Sequence, residues 1–157
     1  MRGKSKIKKR EIAPDKKYNS LLVAELINKL MIRGYKNKAE TIVYKSFDIV
    51  EKNTKKPAFE VFESSVKIAS PQIEVRSKRI GGANYQVPVE VAPHRKVDLV
   101  IRWLLSAVRT RHGKPMEEKL ADEIMQMTKG EGAVIKKRDD IHRMAEANKA
   151  FAHFARF

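Results

Sequence analysis

Apolar residues recur every three or four positions along most of this chain, and that spacing predicts amphipathic helices. The first predicted helix runs from about Ser20 to Arg33 and ends at Gly34. Five further segments share the spacing, with apolar stripes that begin near Ala39, Ala58, Val97, Leu120 and Ile135. The chain is therefore predicted to build its core from six helices.

The apolar period drops to two between Ile73 and Val91, which is typical of strands. The stretch Gly81-Gly82-Ala83-Asn84 between them fits a hairpin turn, because glycine and asparagine tolerate positive φ. Pro88 cannot donate to a sheet ladder, so the return strand must have an open edge. We therefore predict a mainly α fold: a six-helix body with one protruding two-stranded antiparallel β-hairpin, at about 72–91, between helices three and four.

The first ten residues of this 157-residue protein carry six positive charges and no acid. Its length suits one domain, which we place at 15–157. Residues 1–14 are predicted to form a flexible arm, because a block of like charges repels itself. The basic residues of the arm are Arg2, Lys4, Lys6, Lys8, Lys9 and Arg10.

The overall charge is the most informative feature of the composition. Thirty-four Lys and Arg against nineteen Asp and Glu give a net charge of +15, which attracts polyanions such as nucleic acid. The absence of cysteine excludes disulfides and thiolate zinc sites and suits the cytosol. The sequence shows neither an apolar signal segment nor a membrane span. We expect a soluble cytoplasmic protein without a membrane partner.

Three further groups of cations and the single Lys36 accompany the arm, and each could contact phosphates. A charge run is usually only a solvated face, but so many on one small chain favour a polyanionic partner. The candidate residues are Lys36; Arg76, Lys78 and Arg79 on the hairpin; Arg95, Lys96, Arg102, Arg109, Arg111 and Lys114 around helix four; and Lys136, Lys137, Arg138 and Arg143 on helix six.

RNA fits these groups better than duplex DNA does. A basic arm and a narrow ribbon can enter the irregular grooves and junctions of folded RNA. Two-stranded ribbons also read the DNA major groove, so a DNA-binding architectural or regulatory protein remains an alternative. A scaffold that binds only proteins would leave the net charge unexplained.

The aromatic residues near the hairpin and the C-terminus have two possible uses. Tyr85 either stacks on an exposed base or packs across the hairpin against Ile80 or Val87. Phe151 and Phe154 are expected to dock on the helical body or on a neighbouring protein.

Catalytic chemistry has one weak candidate, the stretch Arg138 to His142. Asp139 and His142 share a helix face, so a small nuclease or RNA-modifying enzyme that uses them with Asp140 is conceivable. The favoured interpretation is a helix surface whose acids pair with Lys136, Lys137 and Arg143. The glycines at 81–82 lack the Gly-Lys-Ser/Thr of a phosphate loop. We expect no enzyme, no metal and no cofactor.

Several stretches resemble one family, the universal small-subunit ribosomal protein seven in its bacterial form. "SLLVAELINKLMIRGYKNKAETIVYKS" is similar to its N-terminal signature, "SPQIEVRSKRIGGANYQVPVEV" to its β-hairpin, "IRWLLSAVRTR" to its fourth helix and "HRMAEANKAFAHF" to its C-terminal helix. After Gly34 the family usually shows Lys-Lys or Lys-Arg, whereas this chain has Tyr35-Lys36. The likeness covers nearly the whole chain.

This resemblance implies a structural protein of the small ribosomal subunit that binds the 3′ major domain of the ribosomal RNA and nucleates assembly of the head. It implies a place near the decoding region, with exit-site transfer RNA and messenger RNA nearby, and contacts with small-subunit proteins nine and eleven. The cations given above are then expected to bind ribosomal RNA, and the protein is expected to be a monomer when free. The tip residues expected near the exit-site transfer RNA are Arg79, Gly81, Gly82, Asn84 and Tyr85.

Overall fold

The computed structural model describes residues 11–156, and this part of the chain is mainly helical. It contains six α-helices, one two-stranded hairpin and a C-terminal 3₁₀ helix. In chain order these are α1 (Leu21–Leu30), α2 (Lys36–Thr54), α3 (Ala58–Ala69), β1 (Ile73–Ile80), β2 (Ala83–Glu90), α4 (Pro93–Thr110), α5 (Met116–Thr128), α6 (Ala133–Ala147) and the 3₁₀ helix (Lys149–Arg156).

The predicted mainly α fold, with its hairpin between the third and fourth helices, is confirmed. The 3₁₀ helix at the C-terminus is additional to the six predicted helices. No helix between residues 11 and 156 is both long and apolar enough to cross a bilayer.

The predicted end of α1 at Arg33 is wrong, because the helix stops at Leu30. Arg33 and Gly34 both have positive φ, 54° and 79°, and such a left-handed pair cannot continue a right-handed helix. The turn therefore begins before the glycine and runs from Ile32 to Tyr35. The Tyr35 amide closes it by donating a hydrogen bond to the Ile32 carbonyl at 3.1 Å.

The apolar stripes of all six helices meet in one buried cluster. α5 lies against α2, α3 and α4, so each of its inward side chains is surrounded by other helices. The largest fully buried apolar side chains are Phe47, Phe62, Leu26, Ile27, Ile101, Leu104, Leu120, Ile124 and Met127. Burying each of them contributes about 1.5–3 kcal/mol of transfer free energy. This core holds α4 in place, and α4 carries much of the charge discussed below.

A buried carboxylate ties the start of α6 to the segment after α4. The Glu123 side chain is fully buried; it accepts a hydrogen bond from the Val134 amide at 3.0 Å and pairs with the Arg111 guanidinium. Gly132 precedes this contact with a φ of +96°, and a Cβ there would lie 2.9 Å from a Glu123 carboxylate oxygen. Both the backbone angle and the close approach therefore require glycine at this position.

The hairpin has a shorter turn than the sequence indicated. Ile80 pairs with Ala83, and Arg79 pairs with Asn84, so only Gly81 and Gly82 form the loop. The predicted four-residue turn was therefore wrong. Both glycines have positive φ, 57° and 90°, as the favoured two-residue hairpin turn requires.

Candidate nucleic-acid interface

The register of the hairpin divides its cations between two faces. Arg76 lies opposite Val87, and Lys78 lies opposite Tyr85, so both cations share the face that packs on the body. Val87 on this face is buried, with 1% of its surface exposed. Arg79 lies on the other face, opposite Asn84, and both of these side chains are exposed. Arg79 is therefore the cation of β1 that the fold leaves on the outward face.

The base of the hairpin is joined to α4 through one buried carboxylate. Glu74 accepts hydrogen bonds from the Arg95 Nε at 2.8 and 3.0 Å and from the Arg76 Nε at 2.6 Å. Burial would raise the pKa of Glu74, but the hydrogen bonds from Arg95 and Arg76 outweigh it, and the pKa lies below its ordinary value. The carboxylate stays charged at neutral pH and holds two guanidinium groups side by side. The Arg76 side chain remains 56% exposed in this arrangement.

Three arginines of α4 lie at intervals of seven residues, at Arg95, Arg102 and Arg109. Seven residues are close to two helical turns, so these side chains leave the helix on nearly one line. The line extends over about 21 Å at 1.5 Å per residue. α4 thus presents a row of guanidinium groups on the side away from its buried stripe.

The middle of this row lies beside the last turn of α1. Asp98 pairs with the Lys29 ammonium and accepts a hydrogen bond from the Arg102 Nη2 at 2.6 Å. The hydrogen bond from Lys29 is the main reason that the pKa of Asp98 lies below its ordinary value. Lys29, Arg102 and Arg109 line an open cleft of about 510 Å³ between α1 and α4.

Arg109, the last arginine of the row, lies beside the loop between α1 and α2. Its Nη2 donates to the carbonyls of Lys29 and Leu30, at 3.4 Å each, where α1 ends. A second cavity, of about 310 Å³, has both Arg109 and Lys38 in its wall. We call this set of neighbouring cations the α4 strip, and it consists of Arg76, Arg95, Lys29, Arg102, Arg109 and Lys38.

Other predicted contacts lie outside the α4 strip and have partners of their own. Arg111 pairs with Glu123 and donates to the Gln126 Oε1 at 2.9 Å, so it stabilises the fold. The Lys114 ammonium lies 2.9 Å from Asp122, and this hydrogen bond raises the pKa of Lys114. Lys96 donates to the Gln72 Oε1 at 2.6 Å.

The cations of α6 form a separate surface. Lys136 and Lys137 are exposed, whereas Arg138 is partly buried because it bridges Asp139 and the Ile68 carbonyl. Arg143 is 80% exposed and lies 3.5 Å from Asp140. The predicted contacts in the arm, Arg2, Lys4, Lys6, Lys8, Lys9 and Arg10, lie outside the described residues. RNA contact by all these groups stays a prediction.

Tyr85 packs against the C-terminal 3₁₀ helix, a contact that the sequence did not predict. Its ring centroid lies 5.1 Å from that of Phe151 and 5.4 Å from that of Phe154. The two phenylalanines are on one side of the 3₁₀ helix, because three residues make one turn of such a helix. Lys78 adds a hydrogen bond to the Phe154 carbonyl at 3.0 Å. The C-terminal segment therefore braces the hairpin on the face that also bears Val87.

The weak catalytic candidate has its groups turned to different neighbours. Asp139 forms an ion pair with Arg138, and Asp140 forms one with Arg143. The His142 Nε2 accepts a hydrogen bond from the Gln72 amide at 3.2 Å. No group of three or more potential metal ligands occurs within residues 11–156. The stretch is thus an ion-paired helix surface, but of the predicted partners only Arg143 pairs with an acid, and Asp139 pairs with Arg138 instead of Lys136 or Lys137.

Comparison with known proteins supplies the identification. A family described as ribosomal protein S7p/S5e matches residues 2–149, which is most of the chain. The chain belongs to this family. Membership makes it a structural, rRNA-binding constituent of the small ribosomal subunit that also contacts other ribosomal proteins. The resemblance drawn from its sequence is thereby confirmed, and the place of a bacterial member is the cytoplasmic small subunit.

Two cations of the α4 strip were not predicted from the sequence. Lys29 is a single basic residue in a largely apolar helix, and only the packing of α1 beside α4 brings it next to Asp98 and Arg102. Lys38 stands among other polar residues, and its link to Arg109 depends on the turn that follows Leu30. The spacing of seven on α4 was the one available signal, and it points to a row only when the burial of the opposite face is known.

Proposed function

We propose that this ribosomal S7-family protein binds the 3′ major domain of small-subunit ribosomal RNA directly and nucleates assembly of the head. The observation that carries the proposal is the α4 strip, in which the fold joins cations from α1, α2, β1 and α4. Solvation of the surface does not require such a row, whereas fixed positive charge offsets the phosphate repulsion between two RNA helices packed side by side.

The proposed role of the α4 strip is to offset phosphate repulsion where RNA helices crowd. Each neutralised phosphate releases condensed counterions, so binding is strong and falls steeply with salt. Arg102 and Arg109 can grip phosphates through two parallel hydrogen bonds. Glu74 and Asp98 fix the orientation of the strip before RNA arrives, which lowers the entropic cost of ordering long side chains.

The hairpin tip is proposed to lie near the exit-site transfer RNA, close to the messenger RNA path and the decoding region. Its two-glycine turn makes it narrow, and Arg79 and Asn84 are exposed beside that turn. We further propose contacts with small-subunit proteins nine and eleven, an arm at 1–14 and a single RNA-binding domain at 15–157. The protein acts without catalysis and is a monomer before assembly.

The direct test is a competition experiment with the full-length protein. Labelled 3′ major domain RNA is bound at physiological salt and challenged with an equal mass of unlabelled competitor. We expect the same RNA to compete much better than unrelated structured RNA or duplex DNA. Comparable competition by duplex DNA, together with a defined protein dimer, would instead support the DNA-binding alternative.

A further inference from the structure

Tyr35 is the exposed aromatic residue of the loop between α1 and α2. It has 58% of its surface accessible, and its neighbour Ile32 has 62%. Exposure of a large aromatic ring to water costs free energy unless a partner covers it. The hairpin tyrosine, Tyr85, is by contrast already covered by Phe151 and Phe154.

The fold holds Tyr35 in a defined position despite this exposure. Its amide donates to the Ile32 carbonyl at 3.1 Å, and α2 begins at the next residue. The Lys38 ammonium, one turn into α2, lies 5.0 Å from the centre of the Tyr35 ring. A ring fixed in this way loses little conformational entropy when a ligand stacks on it.

Tyr35 lines two cavities. One has an apolar wall that includes Met31, Ile32, Ile42 and Met116, with Lys38 and Arg109 at its polar positions. The other is formed by the polar backbone and side chains of 34–38. A flat apolar surface next to fixed cations suits a ligand that has an aromatic face and an attached anion.

The charge around the loop selects among possible ligands. Arg33, Lys36 and Lys38 lie between Met31 and Ala39 without an intervening acid. Within residues 11–156 none of these three has a carboxylate at ion-pair distance. The loop therefore complements a polyanion rather than an acid-poor protein surface, and it continues the α4 strip through Arg109.

We propose that Tyr35 is a stacking platform for one unpaired ribosomal RNA base, whose flanking phosphates contact Lys36 and Arg109. This inference rests on the proposed function and adds a residue to it. Stacking on an aromatic side chain is sequence-tolerant, because every base has a π-face.

The test measures the affinity of full-length variants for 3′ major domain RNA over a range of salt concentrations. Tyr35→Leu keeps an apolar cover but removes the ring, and we expect about tenfold weaker binding with an unchanged salt slope. Tyr35→Phe should bind like the wild type. Tyr35→Lys should steepen the salt slope by about one unit, because it adds a phosphate contact.

The matched control is Leu21→Ala, which alters a side chain with 57% exposure at the opposite end of α1. It should leave the affinity unchanged. A second readout uses Trp103→Phe with Tyr35→Trp, so that the single tryptophan reports on position 35. RNA should quench its fluorescence in step with binding.

The possible failures can be told apart. If the wild type prefers the 3′ major domain RNA but Tyr35→Leu binds this RNA as tightly as the wild type does, the stacking inference is overturned. The cavity beside Tyr35 would then serve a contact with a protein. Absence of quenching at position 35 in the bound state would overturn it too. If the wild type shows no preference for this RNA, the proposed function fails and the inference fails with it.

Discussion

The acidic residues of this basic protein decide where its cations point. Glu74, Asp98 and Glu123 each hold at least one arginine or lysine. These carboxylates are at least partly buried, whereas the pair between Lys67 and Glu63 lies in solvent, with 72% of the Lys67 side chain accessible. The pairs have different roles. Glu123 holds Arg111 and thereby stabilises the fold, whereas Asp98 orients Arg102 at the surface.

The first prediction concerns Glu123. Replacement with alanine leaves the Arg111 guanidinium without its buried partner and the Val134 amide without an acceptor, so we expect a loss of about 3 kcal/mol in the free energy of unfolding. Urea denaturation followed by circular dichroism measures it. Glu63→Ala, which breaks the exposed pair with Lys67, should cost less than about 0.5 kcal/mol. Equal losses in the free energy of unfolding for the two variants would refute the structural role of the buried Glu123 carboxylate.

The second prediction concerns pH and Glu74. Its folded pKa lies below the ordinary value of 4.5, so the unfolded state binds more protons as pH falls and the stabilisation is lost in acid. At pH 7 the wild type should be more stable than Glu74→Gln. Below about pH 4.5 the difference should shrink as the carboxylate becomes protonated. Denaturation curves of both proteins between pH 3 and 7 measure this, and a constant gap across the range would contradict it.

Single residues also show where sequence reasoning reaches its limit. The apolar positions of α4 were predictable because their spacing of three and four is local. The partners of Tyr85 were not, because they come from a segment more than sixty positions away in the chain. The spacing of three in Phe151 and Phe154 equals the 3₁₀ period, and it was available in the sequence but was not recognised as an element.

At the scale of elements, the hairpin is stabilised from within the chain as well as by any partner. A bare two-stranded ribbon is marginal in water. Here the 3₁₀ helix and α6 lie against it, and Glu74 ties β1 to α4. The C-terminal helix is therefore a brace that sets the direction of the tip.

The third prediction follows from this brace. Tyr85→Ala removes the aromatic contacts with Phe151 and Phe154, each worth about 0.5–1.5 kcal/mol beyond area burial. Hydrogen exchange of the β1 and β2 amides should become faster, while amides of α4 and α5 keep their protection. Gln86→Ala, on the outward face of the same strand, is the control and should leave exchange unchanged. Equal protection in Tyr85→Ala and the wild type would mean that the brace has no effect.

At the scale of the whole molecule, packing converts a basic composition into an ordered surface. The sequence predicted the six helices and the hairpin because apolar periodicity is a local pattern, and its net charge predicted a polyanionic partner. It did not predict the α4 strip, which exists only because α1 lies beside α4 and the hairpin base meets Arg95. The order of the cations, rather than their number, is the new information in the structure.

The most direct test of this account compares two triple variants that each remove three positive charges. One replaces Lys38, Arg102 and Arg109 of the α4 strip with alanine, and the other replaces the exposed Lys52, Lys67 and Lys129. The measurement is the salt dependence of binding to 3′ major domain RNA. The account predicts that the strip variant loses about two units of slope, at about 0.7–0.9 per phosphate contact, while the control keeps the wild-type slope. Equal losses in both variants would show that only net charge matters and would contradict it.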